Sequence, residues 1–230
     1  MGWMVVLALL LLALAWLYRA SGRAARIDWG SPWLNRIDGL NRLFCRWVHG
    51  LRSEPLPLPD TGGALVAANH LSGLDPLLLI AASRRPLRFL IAREQYQRFG
   101  LNWLFRAVGC IPVDRSGRPE AALKAALEAL QQGEVVALFP HGGIHLDHQP
   151  PRRLKRGIAW LARQAGCPVV PVRIDGVTAR GLTILAVFVP SRARLRASAA
   201  LACDRLDEHD CLEQLAAAIA PQPSSHTSTK

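Results

Sequence analysis

The stretch ALVAANHLSGLDPLLLI, residues 64–80, decides the fold. Its first five residues form a short, uncharged apolar run, the pattern of a strand covered on both faces. Asn69, His70, Ser72 and Gly73 then break the run, and Asp75 with Pro76 opens a helix, since proline suits a first turn in which its missing N–H has no partner anyway. Strand, loop and helix in this order are the repeating unit of α/β folds. His70 therefore sits on a loop outside the carboxyl end of a strand, where open α/β sheets place their sites. Four residues separate it from Asp75, and a tight loop through Gly73 folds the two together, so that the carboxylate accepts from one ring nitrogen and leaves the other free as a base. The competing role for Asp75 is N-cap of the helix that Pro76 begins.

Working outward, strands and helices alternate between residues 55 and 220. Strands are predicted at Leu87–Ala92, Ile111–Val113, 135–139 and 169–174, and helices at 101–108, 119–132, 154–165 and 206–219, two of them stopped by Gly133 and Gly166. Residues 183–189 and 192–197 read as a hairpin. The expectation is an α/β domain over residues 53–220, with a largely parallel central sheet flanked by helices. Residues 1–52 form an N-terminal membrane-associated segment, and 221–230 a disordered tail with nothing to bury. The chain shows no internal repeat and no dinucleotide or Walker glycine pattern.

Composition sets the function classes. The chain has 230 residues, half of them hydrophobic and a fifth charged, enough for one full core and incompatible with disorder or a multi-span transporter. Its 28 basic and 17 acidic side chains leave a formal charge of +11 and call for a polyanionic partner. Anionic lipid, nucleic acid and phosphorylated metabolites all qualify. No nucleic-acid partner is expected, because the basic residues lack interleaved aromatics and any recognisable motif. The cations are mostly Arg, with Lys only at 124, 155 and 230; Arg grips phosphate with paired hydrogen bonds, although Arg-rich codon usage accounts for part of the excess. Five cysteines without CxxC spacing indicate neither a disulfide framework nor a zinc ribbon, and fit a reducing compartment.

Residues 3–18 carry no charge and would make a helix of roughly 24 Å, to be set against a bilayer core of about 30 Å. No basic residue precedes the run, as one would in a signal peptide, whereas Arg19, Arg23 and Arg26 follow it, an asymmetry that puts the rest of the chain on the cytoplasmic face of the inner membrane. In residues 31–51, Trp33, Leu34, Ile37, Leu40, Phe44, Trp47, Val48 and Leu51 recur at helical spacing, with Arg36, Arg42 and Arg46 between them. This amphipathic helix either lies in the membrane interface or packs on the domain core, and its apolar neighbour favours the membrane.

Three further segments extend the pattern around His70. Asn69-His70-x4-Asp75, Gly109-Cys-Ile-Pro-Val-Asp-Arg115, Phe139-Pro140-His141-Gly142-Gly143 and Val170-Pro-Val-Arg173 resemble, in order and spacing, the four sequence blocks of the glycerophospholipid acyltransferase family, of the 1-acylglycerol-3-phosphate acyltransferase type. Leu154-Lys155-Arg156-Gly157 is similar to that family's Phe-Lys-x-Gly segment. The resemblance implies transfer of a fatty acyl group from acyl-CoA or acyl carrier protein to a hydroxyl of a lysophospholipid, with membrane lipids as partners and no cofactor. It makes His70 the general base and Asp75 the group that holds its ring, and assigns acceptor binding to Asn69, Arg115, Pro140, His141, Gly142 and Gly143. Arg152, Arg153 and Lys155 form a cationic run beside these residues that can serve headgroup or substrate phosphate. The chemistry itself asks for such a base, because an alcohol attacks a thioester usefully only as its proton leaves, and the oxyanion then needs donors, expected from backbone N–H groups near Gly73. Cys110 is the nearest thiol, but no covalent acyl-enzyme is required.

The third block departs from the family's usual Phe-Pro-Glu-Gly-Thr-Arg: here His141, Gly143 and Ile144 stand in place of Glu, Thr and Arg. Two rival readings start from that departure. His141, His145, Asp147 and His148 could hold a metal and make the protein a metal-dependent hydrolase. Alternatively the chain is a non-catalytic membrane-binding homologue.

Overall fold

In the computed structural model, which describes residues 2–97, 100, 102–114 and 119–221, the apolar run at 64–68 is a strand buried at every position. Along the chain come α1 (Gly2–Ala24), α2 (Pro32–Trp47), β1 (Ala64–Ala68), α3 (Asp75–Ala82), β2 (Leu87–Ala92), α4 (Arg93–Tyr96), α5 (Asn102–Ala107) and β3 (Ile111–Val113). They are followed by α6 (Glu120–Gln131), β4 (Val135–Leu138), α7 (Gly157–Ala165), β5 (Val169–Asp175), α8 (Leu185–Phe188), β6 (Arg194–Ala197) and α9 (Glu208–Ile219). The strands form one sheet in the order β3-β2-β4-β1-β5-β6, parallel throughout except for β6, which runs antiparallel to β5.

Strand β1 is doubly covered because successive side chains point to opposite faces. Ala64, Val66 and Ala68 meet the layer that contains Cys45 of α2 and Leu78 and Leu79 of α3. Leu65 and Ala67 meet Ala126 of α6, Leu161 of α7 and Leu215 of α9. The connection leaving β1 runs to β2, and that leaving β4 runs the other way to β5, although β1 and β4 are neighbours. Their carboxyl ends are therefore a switch point, where connections diverge and leave a crevice.

Helix α1 has 23 residues, about 34 Å at the helical rise, and is apolar and exposed over nearly all its length. It is longer than residues 3–18 because Arg19 to Ala24 continue the helix, and by length and composition it can anchor the chain to a membrane. Close approach at Gly39, where an added Cβ would lie 1.8 Å from Ser21 O, brings α2 against the end of α1. Arg36 lies over the Tyr18 ring, 3.4 Å from its centroid. Asp38 accepts from Arg42 at 2.8 Å and from the Arg26 N–H at 3.0 Å. Arg42 also donates to the carbonyls of Ala81, in the last turn of α3, and Ser83, just beyond it, both at 2.7 Å.

Helix α2 thus packs on the domain through Arg42 and Cys45 and on α1 through Gly39, while Trp33, Leu40 and Trp47 stay exposed. This corrects the preference for a purely interfacial helix, since one face is docked and only the other is available to lipid. Residues 183–189 and 192–197 do not form the expected hairpin. Residues 185–188 are helical, and β6 instead pairs with β5, whose edge would otherwise be open. Cys203 and Cys211 are joined in a disulfide, against the expectation of free thiols, because the turn before α9 folds residue 203 onto the helix's first turn. Cys45, Cys110 and Cys167 are free and buried. The expected tail lies, from residue 222 on, outside the described residues.

Candidate active site

The chain leaves β1 through Asn69 and turns back at Gly73, and the turn is built around one carboxylate. Asp75 Oδ2 accepts from His70 Nδ1 at 2.8 Å, from the Leu71 N–H at 2.6 Å and from the Ser72 N–H at 2.9 Å, while Oδ1 accepts from Ser72 Oγ at 3.2 Å. Asp75 is fully buried, and its side chain points back into the turn rather than along its own helix, so it is not the N-cap of α3. A carboxylate can only accept, so the proton on His70 lies on Nδ1. Nε2 has no protein partner among the described residues. The imidazole stacks on Phe139, at the end of β4, with centroids 3.9 Å apart and planes 11° from parallel, and 16 % of the side chain is exposed. A carboxylate at one edge and an aromatic face fix the ring, while the His145 N–H holds the His70 main chain through its carbonyl at 2.9 Å.

Gly73 is needed for close approach rather than for an unusual φ. Its N–H donates to Leu182 O at 3.1 Å, and a Cβ there would lie 2.1 Å from Thr183 O. The N–H groups of Leu71, Ser72, Gly73 and Leu74 are all taken, by Asp75, Leu182 and Ser72 Oγ. The expectation that this turn supplies the oxyanion donors is therefore overturned: its amides hold the carboxylate instead.

The third block lies beside it because β4 neighbours β1. Pro140 is buried, and its carbonyl accepts from the Lys155 N–H at 2.8 Å; Gly142 takes a left-handed φ of 75°, with Lys155 packed over it. His141 stacks on His145 with centroids 4.8 Å apart. Its Nδ1 is buried without a partner among the described residues. Burial, followed by the nearby His145, Arg152, Arg173 and His70, pushes its pKa down to about 4, so His141 is neutral at pH 7. The block therefore offers a neutral imidazole where the family pattern has a carboxylate.

Asn69 is buried, and both ends of its amide go to Ile174 of β5: Nδ2 donates to the carbonyl at 2.9 Å, and Oδ1 accepts from the N–H at 2.7 Å. It is a clamp between strand ends, not the substrate contact inferred from the sequence. Arg152 and Arg153 are exposed, whereas Arg115 lies outside the described residues. Burial pushes the Cys110 thiol up to about 11, which leaves it a poor nucleophile at neutral pH. Ligating atoms of His141, His145, Asp147 and His148 do not converge: among the described residues the one trio within 4.8 Å is His209, Asp210 and Glu213, exposed on α9. The hydrolase reading therefore has no assembled metal site.

Two contributors, Ser72 and Arg173, were given no role by the sequence reading. Ser72 secures the second oxygen of Asp75; a serine between the His and the Asp was the available signal. Arg173 is buried in β5 and holds the third-block loop by donating to Asp147 at 2.7 Å, to Asp175 at 3.0 Å and to Ile219 O at 3.0 Å. A lone Arg inside the apolar strand VVPVRID was the signal there. A separate cavity of about 450 Å³ lies at the opposite, amino end of the strands, against Arg85, Arg88, Arg106 and Glu134.

The family model described as Acyltransferase matches residues 50–175, more than half of the chain and all four sequence blocks. The chain belongs to the acyltransferase family. This acyltransferase is 26 % identical over 120 residues to the 1-acyl-sn-glycerol-3-phosphate acyltransferase of Bacillus subtilis, covering 52 % of this chain and 59 % of that one. It is 34 % identical over 141 residues to the probable enzyme of the same name from Mycoplasma pneumoniae, covering 58 % and 52 %. The chain thus spans little more than half the length of the curated relatives it matches. The crystal structure of the 1-acyl-sn-glycerophosphate (LPA) acyltransferase PlsC from Thermotoga maritima superposes with a TM-score of 0.64 at 21 % identity, over 81 % of this chain and 76 % of that one, and shows the fold to be shared.

Proposed function

We propose that the protein transfers a fatty acyl group from acyl-CoA or acyl carrier protein to the hydroxyl of a lysophospholipid such as 1-acylglycerol-3-phosphate, at the cytoplasmic face of the inner membrane. The observation that carries this reading is the 2.8 Å contact from His70 Nδ1 to Asp75, with Nε2 unpartnered among the described residues. As the acceptor oxygen attacks the thioester carbonyl, its proton passes to Nε2, and Asp75 stabilises the imidazolium. The tetrahedral oxyanion collapses, the C–S bond breaks, and the thiolate leaves with the proton that the imidazolium returns. Neither a covalent acyl-enzyme nor a cofactor takes part. With the amides of residues 71–74 occupied, the oxyanion donors are main-chain N–H groups of Gly143 and Ile144, which have no partner among the described residues.

Acceptor phosphate is met by Arg115 and by the cations that follow the third block, Arg152, Arg153 and Lys155, with neutral His141 as a hydrogen-bonding group beside Gly142 and Gly143. The names of the curated relatives and the net positive charge support this class of acceptor; α1 and the arginines that follow its apolar run support the location. The test is thioester-dependent acylation by wild type and His70→Ala, with acyl-CoA and acyl carrier protein as donors, across lysophosphatidate, other lysolipids and non-phosphorylated alcohols. Loss of the base lowers the rate by about 10³-fold for every acceptor used; an unchanged rate in His70→Ala refutes the mechanism.

A further inference from the structure

The connection from β5 to β6 brings four large apolar side chains to the surface within seven residues: Leu182, Ile184, Leu185 and Phe188, exposed by 44 %, 46 %, 57 % and 70 %. One exposed leucine needs no explanation, but a contiguous group marks a contact surface. The segment is well anchored, because Ala186 is fully buried in the core layer of α2 and α3 and thereby holds Leu185 and Phe188 outward.

Two sets of contacts fix where this surface lies. His49, just past α2, meets the Val187 carbonyl through Nε2 at 3.1 Å, and Trp47 stacks on Trp16 of α1 with centroids 5.7 Å apart. Residues 182–188 are thus tied, through buried His49 and its neighbour Trp47, to the apolar helix. On its other side the Gly73 N–H donates to Leu182 O, and the Gly181 N–H donates to Leu71 O at 2.8 Å. The same segment is therefore tied to the turn that holds His70 and Asp75. Next to His49, a groove of about 420 Å³ is lined by Gly50, Arg52, Arg192 and Arg194. None of these three exposed guanidinium groups has an acidic partner among the described residues.

We propose that residues 182–188 and the groove of Arg52, Arg192 and Arg194 form a second membrane contact, which seats the protein on a bilayer bearing anionic headgroups and sets the His70 turn at the lipid surface. Apolar side chains enter the headgroup–acyl boundary while the arginines take lipid phosphates, the division of labour of an interfacial anchor. A single helix tethers a domain without orienting it, and a second contact supplies the orientation. The inference rests on the membrane part of the proposed function, not on acyl transfer.

The test uses the full chain reconstituted in vesicles of phosphatidylcholine with and without phosphatidylglycerol. A nitroxide is attached at Phe188→Cys, with Gln131→Cys, an exposed position at the end of α6, as the control; the three native free thiols are buried. In phosphatidylglycerol vesicles the label at 188 is more accessible to oxygen than to a water-soluble nickel chelate, and the label at 131 shows the reverse. Arg192→Gln with Arg194→Gln shifts the label at 188 toward water, by on the order of fivefold in partitioning for each charge removed. Water-like accessibility at 188 in both vesicle types overturns the proposal, and immersion indifferent to phosphatidylglycerol and to both Arg changes overturns its cationic half. Leu185→Ser with Phe188→Ser lowers acylation of a vesicle-borne lysolipid and spares a short-chain soluble one; equal losses on both overturn the coupling. If wild type acylates neither, the acyl-transfer reading fails while the label readout still decides the membrane contact.

Discussion

The turn at residues 69–75 and the turn at 139–149 face each other across the ends of neighbouring strands, yet they are built on different principles. In the first, one buried carboxylate takes four hydrogen bonds, and the main-chain amides around it are satisfied within the turn or by Leu182. In the second, position is set by ring stacking of His141 on His145, by Lys155 on the Pro140 carbonyl and by Arg173 on Asp147, and one imidazole nitrogen remains buried without a partner. A hydrogen-bonded carboxylate tolerates little change, because a side chain without an acceptor oxygen strands several donors at once. Stacked rings and a salt-bridged loop accept new side chains. The family sequence pattern is kept in the first turn and altered in the second, as this difference in construction would have it.

The largest effect separating the two turns is expected from Asp75→Asn. Asparagine can still accept from the Leu71 and Ser72 N–H groups but cannot stabilise an imidazolium, so turnover falls by about 10³-fold with the fold retained. Steady-state kinetics alongside a thermal melt check this, and a rate near wild type would remove Asp75 from the chemistry. Gly73→Ala comes next: its Cβ meets the backbone of Thr183, so the turn or the 182–188 segment must shift, at about 1–3 kcal/mol and about tenfold in rate.

In the second turn, Arg173→Met leaves Asp147 and Asp175 without their cation. Both partners are partly exposed, so the cost is about 2 kcal/mol, a fall of roughly 4–8 °C in melting temperature, with acceptor KM raised more than kcat is lowered. The smallest effect is on pH dependence. Burial lowers the pKa of His141 to about 4, so the unfolded chain binds the extra proton between its ordinary value near 6.5 and 4, and stability is lost as pH falls through that window. His49, lowered by burial, acts with the same sign. Melting curves from pH 7 to 4.5 should therefore be shallower for His141→Gln than for wild type; parallel curves would place His141 in solvent.

Much of this was legible in the chain. The apolar run before Asn69, Pro76 after Asp75 and the glycines at 133 and 166 are local signals, and local signals set strands, helix starts and helix ends. The pairing of His70 with Asp75 was also legible, because four intervening residues, one of them a glycine, leave a short turn few ways to close. What escaped was decided at long range. Residues 183–189 are apolar enough for a strand, but β6 found a better partner in the open edge of β5. Asn69 reads as a site residue until β5 arrives to take both ends of its amide. The amides near Gly73 read as oxyanion donors until Asp75 and Leu182 occupy them.

By itself the sequence determined the alternation of elements, the apolar N-terminal helix and the pairing of His70 with Asp75 in the first turn, since each rests on residues within a few positions of one another. Only the tertiary structure decided that β1 and β4 lie side by side, that Phe139 covers the His70 ring, that Arg173 ties down the altered loop, and that residues 182–188 reach from the His70 turn toward α1. Those contacts join residues 26 to 138 positions apart, and strand order, which no local pattern encodes, is what brings them together.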